Sequence, residues 1–267
     1  MPDLYFSQVR GQEAVKRAIT VALAGGHSFF LIGPAGSGKT MMLDRAVDLV
    51  NRLASDGPAV VRPHWTDSPR SFLRRLAPSD GRHDRIMLVV DCAHRFREQS
   101  LARLSAAVES GDVCQPRIWL MAAATIGGTD RTAMKRALGR FDYLGKAADL
   151  HVEAPEVPHR EMTGRAPGTD TLTILAQVSE ARQAQERRGH LNALAPDLAA
   201  KVTADLSDPC KLLLKQAADE LGFNCRAVDR VLRIARTIAD MDGSPAVAEL
   251  HIAEAVQYRL LDRKHWG

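Results

Sequence analysis

The stretch His27–Val50, HSFFLIGPAGSGKTMMLDRAVDLV, changes character twice. HSFFLIG is an apolar run with paired phenylalanines and a closing glycine, the pattern of a buried strand. From Lys39 onward Leu43, Ala46, Val47, Val50 and Leu53 recur at helical spacing. Between strand and helix stand Gly33, Pro34, Ala35, Gly36, Ser37, Gly38, Lys39 and Thr40, which satisfy G-x-x-x-x-G-K-[ST]. Glycines let backbone N–H groups wrap a phosphate chain, the lysine reaches the β and γ oxygens, and the threonine hydroxyl ligates Mg²⁺. The helix N-terminus adds its partial positive charge. The expected ligand is ATP with Mg²⁺, held by the whole loop from Gly33 to Thr40.

Outward from the loop, IMLVVD (residues 86–91) and RIWLMAAA (117–124) read as further buried strands, and DLHVEAP (149–155) as a shorter one ended by its proline. Strands alternating with helices imply a parallel sheet covered on both faces. After Pro155 the texture changes, because EVPHREMTGRAPGTD (156–170) has turn-forming residues and no periodicity. From Leu172 every segment reads as helix: one through about Arg188, then 208–222, 225–241 and 246–263, with Gly222 and Gly243 where C-terminal caps belong. The expected layout is an α/β nucleotide-binding domain over 1–158, a linker over 159–171 and a helical lid over 172–267.

A chain of 267 residues, 45% hydrophobic and 25% charged, can bury a sizeable core. It has no apolar run of the roughly 18–20 residues that a membrane span needs, and MPDLYFSQVRGQ lacks the segments of a signal peptide. The expectation is a cytoplasmic protein with no membrane partner. Cys92, Cys114, Cys210 and Cys225 form no CxxC pair, which argues against a structural metal and for reduced, mostly buried thiols. A net charge of +4 is only mildly basic and does not by itself indicate a nucleic-acid partner.

FSQVRGQEAVKRAITVALAGGHSFFLIGPAGSGKT (6–40) resembles the start of the AAA+ module of magnesium-chelatase-like ATPases, the YifB/ComM branch. RAVDRVLRIARTIADMDGSPAVAELHIAEAVQYRLLDR (226–263) is similar to that branch's C-terminal lid, and DLHVEAPEVP adds a match between them. Members usually carry a Lon-protease-like domain before this module, so the expectation here is the motor part alone. The resemblance implies a P-loop AAA+ αβα core with a five-stranded parallel sheet, a C-terminal helical lid, and nucleotide at a subunit interface of a homo-oligomeric or mixed ring. It implies that Phe6, Val9, Gly11 and Gln12 run along the adenine and that Asp91 is the Walker B aspartate, holding Mg²⁺ with Thr40. Arg226 matches the lid arginine called sensor 2, which touches the γ-phosphate. Arg230 and Arg233, on the same helical face, read as solvated or ion-paired.

The catalytic half departs from that pattern. The family reads Asp-Glu where this chain reads Asp91-Cys92, and a thiol near pH 7 is mostly protonated and a poor acceptor for the attacking water's proton. Loss of such a group costs on the order of 10²- to 10⁴-fold. His94 is a possible substitute base. Thr125 stands where the family has the sensor 1 asparagine, and Ala147 where it has the arginine finger. Arg140, in the nearby GRFD, is a possible replacement finger if its segment is re-registered. ESGDVCQPRIWLMA (109–122) is far shorter than the family's segment, so its pore hairpin is expected to be missing.

The pattern of holding residues kept and firing residues lost points to a nucleotide-dependent switch or ring subunit with weakened hydrolysis. Two other readings stay open: an active ATPase motor in DNA processing, ComM-like, and an inactive subunit of a mixed AAA+ ring. Arg70, Arg74, Arg75, Arg82 and Arg85 crowd the segment before Asp91, where a basic pore surface could track DNA. A solvated surface is the simpler reading there, because Phe72 is the one aromatic residue expected to be available for stacking.

Overall fold

A computed structural model describes residues 5–53, 58–76, 85–111, 117–127, 131–158, 168–259 and 262. Arg82 and Cys114 lie outside the described residues. Strands β1 (Phe29–Gly33), β2 (Ala59–Val61), β3 (Arg85–Val90), β4 (Arg117–Thr125) and β5 (Leu150–Glu153) form one parallel sheet in the order β2-β3-β4-β1-β5. Helices α1 (Glu13–Gly25), α2 (Lys39–Leu53), α3 (Pro69–Leu76), α4 (Glu98–Gly111) and α5 (Arg131–Ala147) belong to this α/β part. The carboxy-terminal part holds α6 (Thr171–Glu186), α7 (Leu198–Asp205), α8 (Asp208–Leu221), α9 (Cys225–Met241) and α10 (Glu249–Gln257). This is the expected P-loop AAA+ architecture, an αβα core with a helical C-terminal region.

The alternation of each strand sorts its side chains into two layers. Phe29, Leu31, Met87, Val89, Met121 and Ala123 face one hydrophobic cluster, in which α1, α2 and the C-terminal helices pack. Phe30, Ile32, Leu88, Val90, Leu120 and Ala122 face the other, shared with α3, α4 and α5. Burial on both faces explains why these strands read as continuous apolar runs rather than alternating ones. The register Gly33↔Thr125 sets the first glycine of the phosphate loop level with the end of β4.

The change of class near residue 158 is not a change of core. Ile174, Val178, Val231, Ile234 and Ile238 bury in the same cluster as Ile19, Leu23 and Met121. The Phe6 backbone N–H donates to Thr171 Oγ1 at 2.9 Å, which ties the start of α6 to the amino-terminal segment. Beyond α10 the chain returns to the sheet: His151 N–H donates to Tyr258 O at 2.7 Å and Arg259 pairs beside β5. Asn224 caps α9 by accepting from Ala227 N–H, and Gly222, at φ 71°, ends α8 as expected.

The expectation for the cysteines is corrected in part. Cys210 is buried, but Cys92 is only half-buried and Cys225 is exposed at the first turn of α9. Residues 112–116, in the segment expected to lack the pore hairpin, lie outside the described residues.

Candidate nucleotide site

The phosphate loop leaves β1 at the point where β1 lies between β4 and β5, so a crevice opens beyond the carboxyl ends of the strands. Gly33, Gly36, Lys39, Thr40, Asp91, Cys92 and Thr125 converge there, and all but Gly33 line a pocket of about 280 Å³. A side chain on Gly33 would run into the Ala154 carbonyl oxygen, because β5 presses against β1. Gly36 and Gly38 sit at φ 79° and 85°, a region that favours glycine, with open space where a Cβ would stand. That space is the cradle a phosphate chain requires.

The charged groups fit ATP·Mg²⁺. Lys39 Nζ donates to Gly33 O at 3.0 Å, Pro34 O at 2.5 Å and Ser37 Oγ at 3.1 Å, and burial pushes its pKa down despite nearby Asp91. An ammonium satisfied only by neutral oxygens is poised for an anion. Thr40 Oγ1 donates to Asp91 Oδ2 at 2.9 Å, placing hydroxyl and carboxylate together as Mg²⁺ ligation needs. Among the described residues no group of three or more His, Cys, Asp or Glu gathers to hold a metal.

Gln12 supports the same fit from the amino-terminal segment. Its Nε2 donates to Ser37 O at 3.1 Å and to Pro155 O at 2.6 Å, which braces the loop against the end of β5. Its Oε1 is buried with no hydrogen-bond partner, an orphaned acceptor that a base amino group would satisfy. Phe6 and Val9 are buried in the core, and Gly11 at φ 63° and Gln12 at φ 57° turn the chain into α1.

At the Walker B turn Cys92 adopts a left-handed backbone, φ 54°, and its N–H donates to Asp91 Oδ1 at 2.7 Å. Burial and the Asp91 carboxylate raise the thiol's pKa, so Cys92 stays protonated and accepts no proton from water. His94 does not replace it in this arrangement. Its Nδ1 accepts from Thr125 N–H at 3.2 Å, which leaves the proton on Nε2 and makes that nitrogen a donor. Burial, with Arg95, Lys39 and Arg140 adding, holds His94 neutral. Thr125 remains at the pocket, able to donate one hydrogen bond.

One expected residue, Arg226, is not brought to the chain's own phosphate loop. Arg226 pairs with Glu109 at 3.6 Å and lines a second cavity among Ser28, Arg117 and Asp149, at the opposite, amino-terminal edge of the sheet. The expectation that it touches its own chain's γ-phosphate is corrected. Ala147 lines that same far cavity and is buried beside Phe141 and Leu144. Arg140 lies two helical turns earlier in α5, where its Nη2 donates to His94 O at 2.6 Å, so it braces its own Walker B turn instead of standing in the finger position. The basic run also divides: Arg70, Arg74 and Arg75 are exposed on α3, whereas Arg85 lines the far cavity. Phe72 is wholly buried, and of the exposed aromatics among the described residues, Tyr5, Trp65 and Tyr143, Trp65 lies under the Arg95 guanidinium at 4.5 Å and beside the His64 ring. Sequence reading missed Trp65 because a turn-forming segment, HWTDSP, carries it and no periodicity marks its exposure.

With this geometry in view, two family models match the chain. "Magnesium chelatase, subunit ChlI" matches residues 5–61 and "Magnesium chelatase, subunit ChlI C-terminal" matches residues 168–259, between them more than half of the sequence. The chain belongs to the magnesium-chelatase-like family. It is 29% identical over 307 aligned positions to "Uncharacterized protein YifB" of Escherichia coli strain K12, covering 96% of this chain and 60% of that protein. It is 26% identical over 309 positions to "Competence protein ComM" of Haemophilus influenzae, covering 97% and 61%. A third relative is "Uncharacterized protein Rv2897c" of Mycobacterium tuberculosis, 26% identical over 315 positions and covering 95% and 61%. The chain thus spans about three-fifths the length of these relatives. Cys92, Thr125 and Ala147 all fall in 62–167, between the two stretches the family models match.

Proposed function

We propose that the chain binds ATP·Mg²⁺ as the ligand of a switch, within a homo-oligomeric or mixed AAA+ ring in the cytoplasm, and turns it over poorly. The Thr40–Asp91 pair set beside a protonated Cys92 supports this reading: the two groups that would hold the metal lie together, and the position next to them offers a thiol where a base is needed. Arg226 and Ala147 stand at the edge of the sheet away from their own loop, so either would meet only the nucleotide of another copy. A head-to-tail ring supplies that arrangement. Among the described residues no helix is long and apolar enough to cross a membrane. The test is ATP binding and turnover by the purified chain, with Lys39→Ala as control.

One observation favours a second reading, an ATPase that acts on DNA. Trp65 is exposed, Arg95 stacks on it, and α3 turns Arg70 and Arg74 outward nearby. Aromatic faces flanked by arginines are how sequence-tolerant single-strand sites are built. Turnover raised by single-stranded DNA and lost with salt would favour that reading over the switch.

A further inference from the structure

The second cavity, about 540 Å³, lies between the amino-terminal ends of the strands and the C-terminal helices. That volume is in the range of small-molecule sites. It shares no lining residue with the phosphate pocket. Among the described residues six arginines line it against three carboxylates. Each carboxylate is already taken by an arginine of α9: Glu109 by Arg226 at 3.6 Å, Asp149 by Arg230 at 3.1 Å and Asp229 by Arg233 at 2.7 Å.

Arg117 and Arg182 are left with carbonyl oxygens. Arg117 reaches Leu194 O at 3.4 Å, and Arg182 donates through Nε and Nη2 to Leu23 O at 3.2 and 2.8 Å. Neither forms an ion pair among the described residues. Burial and then the neighbouring Arg85 push Arg182 down to about 10, and Glu186 one turn on does not offset them. A half-buried cation with no ion-pair partner is costly, and an anion would relieve that cost. The register Arg85↔Arg117 sends both side chains to one face of the sheet. Trp119 leaves the same face two residues on, and its Nε1–H, donating to His27 O at 2.6 Å, fixes the ring at the cavity wall.

We propose that this cavity binds a small phosphate-bearing molecule, its phosphate held by Arg117 and Arg182 and its flat body laid against Trp119. Guanidinium forks suit phosphate oxygens, and a cavity with both a cationic and an apolar wall selects a ligand with both parts. The cavity shares no lining residue with the phosphate loop of its own chain, so the test uses Lys39→Ala protein, in which the loop's own affinity is weakened, at concentrations low enough to keep the chain monomeric and the cavity clear of a neighbour's nucleotide. AMP and inorganic pyrophosphate are titrated by calorimetry. The expected result is saturable binding in Lys39→Ala, weakened roughly tenfold or more when Arg117→Gln or Arg182→Gln is added. Arg182→Gln removes two part-buried hydrogen bonds to Leu23 O and can unfold the chain. Arg117→Gln gives up only a marginal one and therefore decides the matter. No saturable binding in Lys39→Ala, or affinity unchanged by Arg117→Gln, overturns the proposal. Neither outcome bears on ATP binding at the loop, which wild-type protein reports separately.

Discussion

Lys39 is the side chain on which nucleotide affinity is expected to turn, since it alone reaches the β and γ oxygens from inside the loop. Lys39→Ala should weaken ATP binding roughly 10- to 100-fold, the worth of one or two charged hydrogen bonds, and equal affinity in both proteins would contradict the site. Asp91→Asn, which removes the carboxylate that Thr40 contacts, should weaken the Mg²⁺ dependence of binding more than binding itself. Cys92→Glu should raise turnover by less than about tenfold, because base and finger act on one transition state and the finger's deficit of roughly 10³-fold or more remains. At this scale the loop was legible because its spacing is local. The tautomer of His94 was not: it depends on Thr125, distant in sequence and brought close only by the meeting of β3 and β4 ends.

Elements hold the site through contacts that spacing does not reveal. Gly33→Ala should cost about 1–3 kcal/mol, read as a lowered denaturation midpoint, because the added methyl meets the backbone at Ala154. His27, at the entrance to β1, bonds Thr237 Oγ1 of α9 at 2.7 Å, and burial holds its pKa down to about 4 against an ordinary 6.5. Between those values the unfolded chain binds the extra proton, so stability is full above 6.5 and falls as pH drops toward 4. The expected loss is up to roughly 3 kcal/mol. Thermal midpoints should drop across that window and drop less in His27→Gln, with buried His151, also held well below its ordinary value, accounting for part of the remaining slope. A midpoint independent of pH in the wild type would contradict this coupling. Strands β1, β3, β4 and β5 and helices α2, α8 and α9 were readable as apolar runs or helical periods. Helix α7 was not, because its eight residues span only about two turns, too short a window to show a period.

For the whole molecule the chain order was legible but the placement of the helical part was not. Nothing in the spacing of α9 tells which edge of the sheet receives Arg226; packing of α9 on α1 and α6, through Val231, Ile234 and Ile238, decides it. The consequence is that bound nucleotide should alter assembly more than the angle between the two parts of one chain. Sedimentation with a non-hydrolysable ATP analogue should show larger species than the nucleotide-free protein, and Arg226→Ala should lose that difference while its subunits still bind ATP. Identical profiles with and without nucleotide would count against a ring contact. If ATP is held and not hydrolysed, turnover by the wild-type chain at saturating ATP and Mg²⁺, at concentrations that permit assembly and with Lys39→Ala in parallel, should stay at or near background while Mg²⁺-dependent binding is tight. Turnover in the ordinary range of about 1 s⁻¹ or more, abolished in Lys39→Ala, would contradict the switch.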